Sequence, residues 1–249
     1  MNTAQPQHES GLVQHLTVLR KNLLIYLAGF AIVFVLAIAC SQYLFSWIAQ
    51  PLIQLLPASH HLVATQVAAP VVVPVKLAFW VSLICTIPVL FWQLWRFMLP
   101  GLYAKEMYLL LLPLLFSLVL FYTGIAFAYF VVIPLLLHFF ISMLPQQVIM
   151  MADIGYYLGF VMRLAVICGL MFEIPVLIAG LIVSERFRLQ QISDKRPYII
   201  LACFGLAMLL TPPDVVSQLV LALPMWLLFE LGLVLGYGVM RYRNGRQSS

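Results

Sequence analysis

Two stretches of this chain, residues 22–75 and 107–152, contain no Asp, Glu, Lys or Arg. About 20 consecutive apolar residues cross the hydrocarbon core of a bilayer, and each stretch is more than twice that long. The whole chain is 64% hydrophobic and 8% charged, where soluble domains carry about 45–50% and about 25%. A water-soluble fold is therefore excluded, and intrinsic disorder and nucleic-acid binding with it. The expected fold class is an all-α polytopic membrane protein.

Breaks and charges divide the chain into six spans, at about residues 23–41, 75–97, 108–133, 157–183, 198–210 and 216–238, within a single membrane domain covering 1–249. The run that ends Ala37-Ile38-Ala39-Cys40 offers small residues for signal cleavage. It exceeds the 7–15 residues of a typical signal core, so it reads as a retained first span. After it, Phe45, Ile48, Leu52, Leu55 and Leu56 recur at helical spacing with Gln50 and Gln54 opposite, which predicts a short helix in the interface. Residues 62–75 are β-branched and punctuated by proline, so an extended segment is expected. Pro88 predicts a kink in span two, and Pro134 is expected to divide the long apolar tract after span three.

Charge sets the orientation. Arg20, Lys21, Arg96, Lys105, Arg186, Arg188, Lys195, Arg196, Arg241, Arg243 and Arg246 all fall on one side of a six-span path, which accounts for 11 of the 13 cations. The positive-inside rule then places both termini in the cytoplasm. Lys76 and Arg163 remain, at the outer ends of spans two and four, where snorkelling to the interface is the simple reading. The net charge of +5 is thus explained by topology. No internal repeat links the two halves, against an inverted-repeat transporter.

Polar groups deep in a bilayer are expensive and point to function or to a buried partner. Glu173 and Glu230 are the acids in question, with Gln93 and Gln218 as neutral companions. Glu173 either faces a cavity or partner helix, or is a protonated carboxyl bonded inside the bundle. Glu230 lies nearer the cytoplasmic end of its span, where an ion pair is an equal alternative. Asp214 is placed to cap span six, behind the Pro212-Pro213 stop. Cys40, Cys85, Cys168 and Cys203 occur singly in apolar surroundings, which suits packing rather than redox or metal chemistry. His60 and His61 are chain neighbours that point apart, so no metal or other cofactor is expected. No GxSxG, HExxH, GxGxxG or P-loop occurs, and the chain does not read as an enzyme.

The ordered residues closely resemble the TatC family, the multi-span subunit of the twin-arginine protein translocase. The matches are His15-Leu16 with Leu19-Arg20, then Ala49-Gln50-Pro51-Leu52 and the stretch from Thr65 to Leu77. Gln93, Trp95, Phe97, Pro100, Leu102, Tyr103 and Glu106 follow, then Phe121-Tyr122, Gly124 and Ala126-Phe127-Ala128-Tyr129-Phe130. Phe172-Glu173 with Pro175-Val176, Lys195-Arg196-Pro197-Tyr198 and Leu210-Thr211-Pro212-Pro213-Asp214 with Ser217-Gln218 complete the series.

The resemblance implies a cup of six helices, the last two short, in the bacterial plasma membrane. It implies a receptor that binds twin-arginine signal peptides of folded precursors and exports them with TatA-like and TatB-like single-span partners, in an oligomer driven by the proton-motive force. Position by position, Glu106 would receive the arginine pair, with Arg20, Phe97, Leu102 and Tyr103 shaping the same cytoplasmic patch. Met208, Thr211 and Gln218 would contact partner helices. Glu173, with Gln93 as a second intramembrane polar group, would face the membrane cavity, and Pro51 and Asp214 mark the outer-loop motifs. One position departs from the pattern. The family's N-terminal motif reads His-Leu-x-Glu-Leu-Arg, its Glu being the second acid of the twin-arginine site, and here that position is Val18. This implies weakened or altered recognition. The alternatives are a divergent TatC-like scaffold and, from a different class, a secondary transporter working through Glu173.

Overall fold

The computed structural model describes residues 7–55, 62–98, 107–145, 151–183, 189–211 and 214–247. Its elements run α1 (Gln7–Ala39), α2 (Ser41–Leu55), β1 (Leu62–Val63), α3 (Ala69–Met98), α4 (Met107–Phe127), a π-helical turn (Ala128–Val132), α5 (Ile133–Ser142), β2 (Ala152–Asp153), α6 (Ile154–Phe172), α7 (Ile174–Val183), α8 (Leu189–Ser193), α9 (Arg196–Leu210) and α10 (Val215–Gln247). Among the described residues, five helical stretches are long and apolar enough to cross a membrane: Arg20–Ala39, Ala69–Gln93, Leu114–Ser142, Ile154–Ile182 and Val215–Gly238. The 15 residues of α9 extend about 22 Å at about 1.5 Å per residue, short of a hydrocarbon core of about 30 Å.

The short interface helix is present as α2. It turns off the end of α1 at Cys40, whose N–H donates to Leu36 O at 3.1 Å. Ile48, Ala49 and Leu52 are buried beneath it while Gln50 and Gln54 face outward. Pro51 lies inside this helix and has no N–H to give the Trp47 carbonyl. The Tyr129 hydroxyl donates to that carbonyl instead, at 2.8 Å. The Tyr129 ring also stacks on Trp47, with centroids 4.8 Å apart. A defect in one helix is thus mended from the π turn of another.

Two proline-based expectations are overturned. Residues 69–75 are the first turns of α3 rather than extended chain, because Pro70 occupies an opening position where no N–H is required. The Gln66 and Ala68 carbonyls accept from Ala69, Val71 and Val72 at 3.0–3.1 Å. Likewise Pro134 does not divide its tract: Leu114–Ser142 is one helical path. The extra residue of the π turn, in which Ile133 N–H reaches back to Ala128 O, absorbs the missing i→i−4 bond.

The main packing seams join α10 to α7, α1 to α3 and α4 to α6. Phe121, Leu164 and Cys168 are fully enclosed where α4 meets α6, and Ile178, Ile182, Phe229 and Leu233 are buried between α7 and α10. By contrast Leu23, Leu24, Leu27, Ile32 and Val35 on α1 stay exposed, an outward apolar face with lipid as its natural solvent.

Candidate functional site

Three of the residues expected to receive a signal peptide, Leu102, Tyr103 and Glu106, lie outside the described residues. The other two are on described helices. Arg20 is exposed near the start of the first apolar stretch, and Phe97 belongs to the last turn of α3. The structure ties these two helix ends together. Gln93 donates its side-chain amide to the Asn22 carbonyl at 2.9 Å, so Gln93 acts as a clamp between α3 and α1. One step deeper, the Thr86 hydroxyl donates to Tyr26 at 3.2 Å, and Phe30 meets Phe79 edge-on at 5.6 Å. The backbone around Arg20 is thereby held beside the helix end from which the segment carrying Leu102, Tyr103 and Glu106 departs.

Glu173 sits at the junction of α6 and α7. Its N–H donates to Leu170 O at 3.2 Å and its carbonyl accepts from Leu177 at 2.9 Å, and Pro175 follows in the first turn of α7. The side chain is only 6% exposed. Ser117 of α4, itself buried, is its hydrogen-bonding neighbour, and its Oε1 has no partner among the described residues. A half-satisfied carboxyl in an apolar bundle is costly to keep. Glu173 is also the one residue between the end of α6 and the start of α7.

At the opposite end of the sequence, Thr211, Asp214 and Gln218 form one connected turn. The Thr211 hydroxyl donates to Ala207 O at 2.9 Å. Asp214 caps α10 by accepting from Ser217 N–H at 2.7 Å, the capping role its position suggested. Gln218 reaches across to the Phe204 carbonyl at 3.0 Å. Pro212 and Pro213 lie outside the described residues. The amide of Gln218 and the hydroxyl of Thr211 are therefore engaged in joining α9 to α10, and Met208, 60% exposed, is the member of the expected trio that presents free surface. Glu230 is likewise an internal partner, accepting from Arg196 at 2.9 Å, which fastens the start of α9 to α10.

Asp153 was not singled out by sequence reading. Its Oδ1 accepts from Tyr156 N–H at 3.0 Å, capping α6, while Oδ2 accepts from Thr65 N–H at 3.0 Å and from the Thr65 hydroxyl. With the parallel pairing of Leu62 with Ala152 and Val63 with Asp153, this latches the two connections together. The cap could have been found from an Asp before an apolar helical run; the partner 88 residues away could not. The Thr65 hydroxyl bond, then the Tyr156 and Thr65 N–H bonds, hold the Asp153 carboxyl down to about 2. A lowered native pKa contributes stability above the ordinary carboxyl range and loses it as pH falls through about 2. Asp153→Asn is therefore expected to loosen the latch at neutral pH, as acidification below about pH 4 progressively does in the wild type. Faster hydrogen exchange at Thr65 and Tyr156 in the variant, with α6 otherwise unchanged, would register it; identical exchange in both proteins would refute it.

The family model described as Sec-independent protein translocase protein (TatC) matches residues 14–224. A protein of that name from Azotobacter chroococcum mcd 1 is 42% identical over 236 residues, covering 94% of this chain and 92% of its own. The protein of that name from Escherichia coli (strain K12) is 42% identical over 221 residues, 89% of this chain and 86% of its own. A crystal structure of a twin-arginine translocase receptor, TatC, superposes with a TM-score of 0.79 at 32% identity, over 90% of this chain and 98% of that one. A second, of the same receptor in the detergent DDM, gives 0.81 at 31% identity over 89% and 99%. With the family model matched over residues 14–224 and relatives 42% identical over about nine-tenths of its length, the chain belongs to the TatC family of Sec-independent protein translocase proteins.

Proposed function

We propose that this protein is the signal-peptide receptor of a twin-arginine translocase, a single membrane domain over residues 1–249 that starts the export of folded precursors across the bacterial plasma membrane. The observation that carries the reading is likeness, over nine-tenths of the chain, to a structure described as the twin-arginine translocase receptor. On this reading the short α9 is a sixth span beside the five long ones, and both termini are cytoplasmic, as 11 of 13 cations on one side require. A span of about 22 Å thins the bilayer around it.

Glu106 receives the guanidinium pair, flanked by Arg20, Phe97, Leu102 and Tyr103. The fastening of α1 to α3 through Gln93 supports a preformed patch. The exposed surface around Met208, beside the turn stiffened by Thr211, Asp214 and Gln218, takes the TatA-like and TatB-like partner helices. Pro51 serves the outer face by fixing α2, and Glu173 serves the proton-driven step from within the bundle. The test is complementation of a strain lacking TatC, scored by export of a folded twin-arginine reporter. Restored export is expected; a protein that reaches the membrane at normal level and exports nothing contradicts the receptor reading. Glu106→Ala separates this reading from a transporter, because it removes export while leaving solute uptake through Glu173 untouched.

A further inference from the structure

Lys76 and Arg163 are the two cations outside the cytoplasmic set, and they come from helices 87 residues apart in sequence. The fold brings both near Gly159. Lys76 of α3 borders a cleft with Val73, Leu77, Trp80, Gly155 and Gly159. Arg163 of α6 donates its Nε to the Gly159 carbonyl at 2.9 Å. That curls the guanidinium back toward the start of α6, where it lies 3.9 Å from the point a Gly159 Cβ would occupy. Gly159, without a side chain, thus borders both the cleft that Lys76 lines and the guanidinium of Arg163. The cleft runs into a polar cavity of about 150 Å³ lined by Gln66, Lys76, Asp153 and Tyr156 among others.

The charges in this gap are complementary to one ligand class. Among the described residues neither Lys76 nor Arg163 has a carboxylate at ion-pairing distance, the one such pair being Arg196 with Glu230. Asp153 faces the same cavity, yet both its oxygens are engaged with Thr65 and Tyr156 N–H groups. Two cations against one carboxylate leave a single net positive charge, the complement of one phosphodiester. Depth agrees: Lys76 is seven residues and Gly159 five residues into their helices, about 10 Å and about 8 Å at about 1.5 Å per residue, where the headgroup region meets hydrocarbon. Trp80, half-buried on the wall of the cleft, and Tyr156, 73% exposed, are the aromatic residues that favour that boundary. Val73, Leu77, Leu158 and Met162 give the cleft a buried apolar wall beside Lys76.

We propose that the gap between α3 and α6 at Gly159 binds a phospholipid, its phosphate held between Lys76 and Arg163. The leaflet it occupies is the outer one if both termini are cytoplasmic, but binding itself does not rest on that orientation. The purified full chain in detergent is titrated with phosphatidylglycerol and followed by native mass spectrometry. Diacylglycerol of the same acyl chains and inorganic phosphate serve as the separate arms. The wild type is expected to retain phosphatidylglycerol and not diacylglycerol. Lys76→Gln or Arg163→Gln should each require about five times more lipid for half-occupancy, and the double variant about thirty times, which corresponds to about 1 kcal/mol per cation near an anionic headgroup. Gly159→Leu keeps both charges, and its Cβ meets only the end of Arg163. It should fold, checked by helicity and melting, yet lose the lipid by filling the gap. Equal retention by wild type and the double variant overturns the proposal, as does equal retention by Gly159→Leu. So does cation-dependent binding of inorganic phosphate without the lipid. Export is not part of the readout, so failure here and failure of the receptor reading are separate results.

Discussion

Gly124→Val is expected to leave little folded protein in the membrane, while Gly29→Val is tolerated. A Cβ at Gly124 would lie 2.6 Å from the Cys168 carbonyl oxygen, 2.9 Å from Gly169 Cα and 3.0 Å from the Cys168 carbonyl carbon. All three atoms are backbone, so no rotamer change relieves the contact and α4 must move away from α6. That seam encloses Phe121, Leu164 and Cys168. In a bilayer, where apolar side chains gain nothing by leaving lipid, close backbone approach at small residues is what holds helices together. Overpacking that side chains can absorb costs about 1–3 kcal/mol; here the backbone has to give, so the upper end of that range or more applies. Gly232 is a second instance at the α10–α7 seam, where a Cβ would meet Pro175 Cα at 2.9 Å and Ile178 Cδ1 at 2.8 Å. Gly29 has nothing within 4 Å and controls for the helix propensity of valine. Thermal unfolding in detergent, together with folded yield, checks the order. If Gly124→Val melts with Gly29→Val, the α4–α6 approach does not support the bundle.

What could be read from the sequence was whatever a short window or a bilayer dictates. The charge-free stretches had to be spans because nothing else buries them, and the structure moves their ends by a few residues, most at the start of span two and the end of span three. Both larger shifts come from prolines. Pro70, Pro74 and Pro134 were read as breaks, yet a proline interrupts a helix only when the carbonyl it orphans and the ring it carries find no accommodation. Position in an opening turn accommodated Pro70, and a π turn accommodated Pro134. Pro51 stayed inside its helix because Tyr129, 78 residues later, supplied a hydroxyl, and no window of sequence contains that partner. Asp214 as a cap was legible because its acceptor role concerns Ser217, three residues away. Gln93 looked like an isolated polar group in a span until Asn22 closed its bond. The acid and aromatics proposed for the receptor patch follow no spacing rule at all; they rest on family resemblance alone, since a receptor loop is specified by its ligand rather than by its own periodicity.

On the proposed reading, Glu106→Ala is expected to abolish export of twin-arginine precursors with no change in the amount or melting of the membrane-inserted protein. A carboxylate accepts two parallel N–H bonds from one guanidinium, and each charge-assisted bond contributes about 1.5–3 kcal/mol. Loss of one such bond therefore weakens signal-peptide binding by about tenfold to about a hundredfold. This chain starts from a disadvantage that makes the loss more complete. Val18 stands where the resembling family places a second acid, so a second arginine has no carboxylate to take over when Glu106 is removed. The converse substitution, Val18→Glu, is then expected to tighten binding of a twin-arginine peptide by a similar factor. Position 18 lies in α1 two residues before the apolar stretch that begins at Arg20, so a carboxylate there remains in the aqueous boundary and carries no insertion penalty. Crosslinking of a twin-arginine peptide to wild type, Val18→Glu, Glu106→Ala and the double variant separates the contributions. The expected order is Val18→Glu tightest, then wild type, with Glu106→Ala weakest of the single variants and partly rescued by Val18→Glu. A two-lysine peptide, which cannot form bidentate bonds, should gain little from Val18→Glu. Equal crosslinking of the arginine peptide to wild type and Val18→Glu would mean that one carboxylate already suffices in this receptor and that Val18 marks no weakness in it.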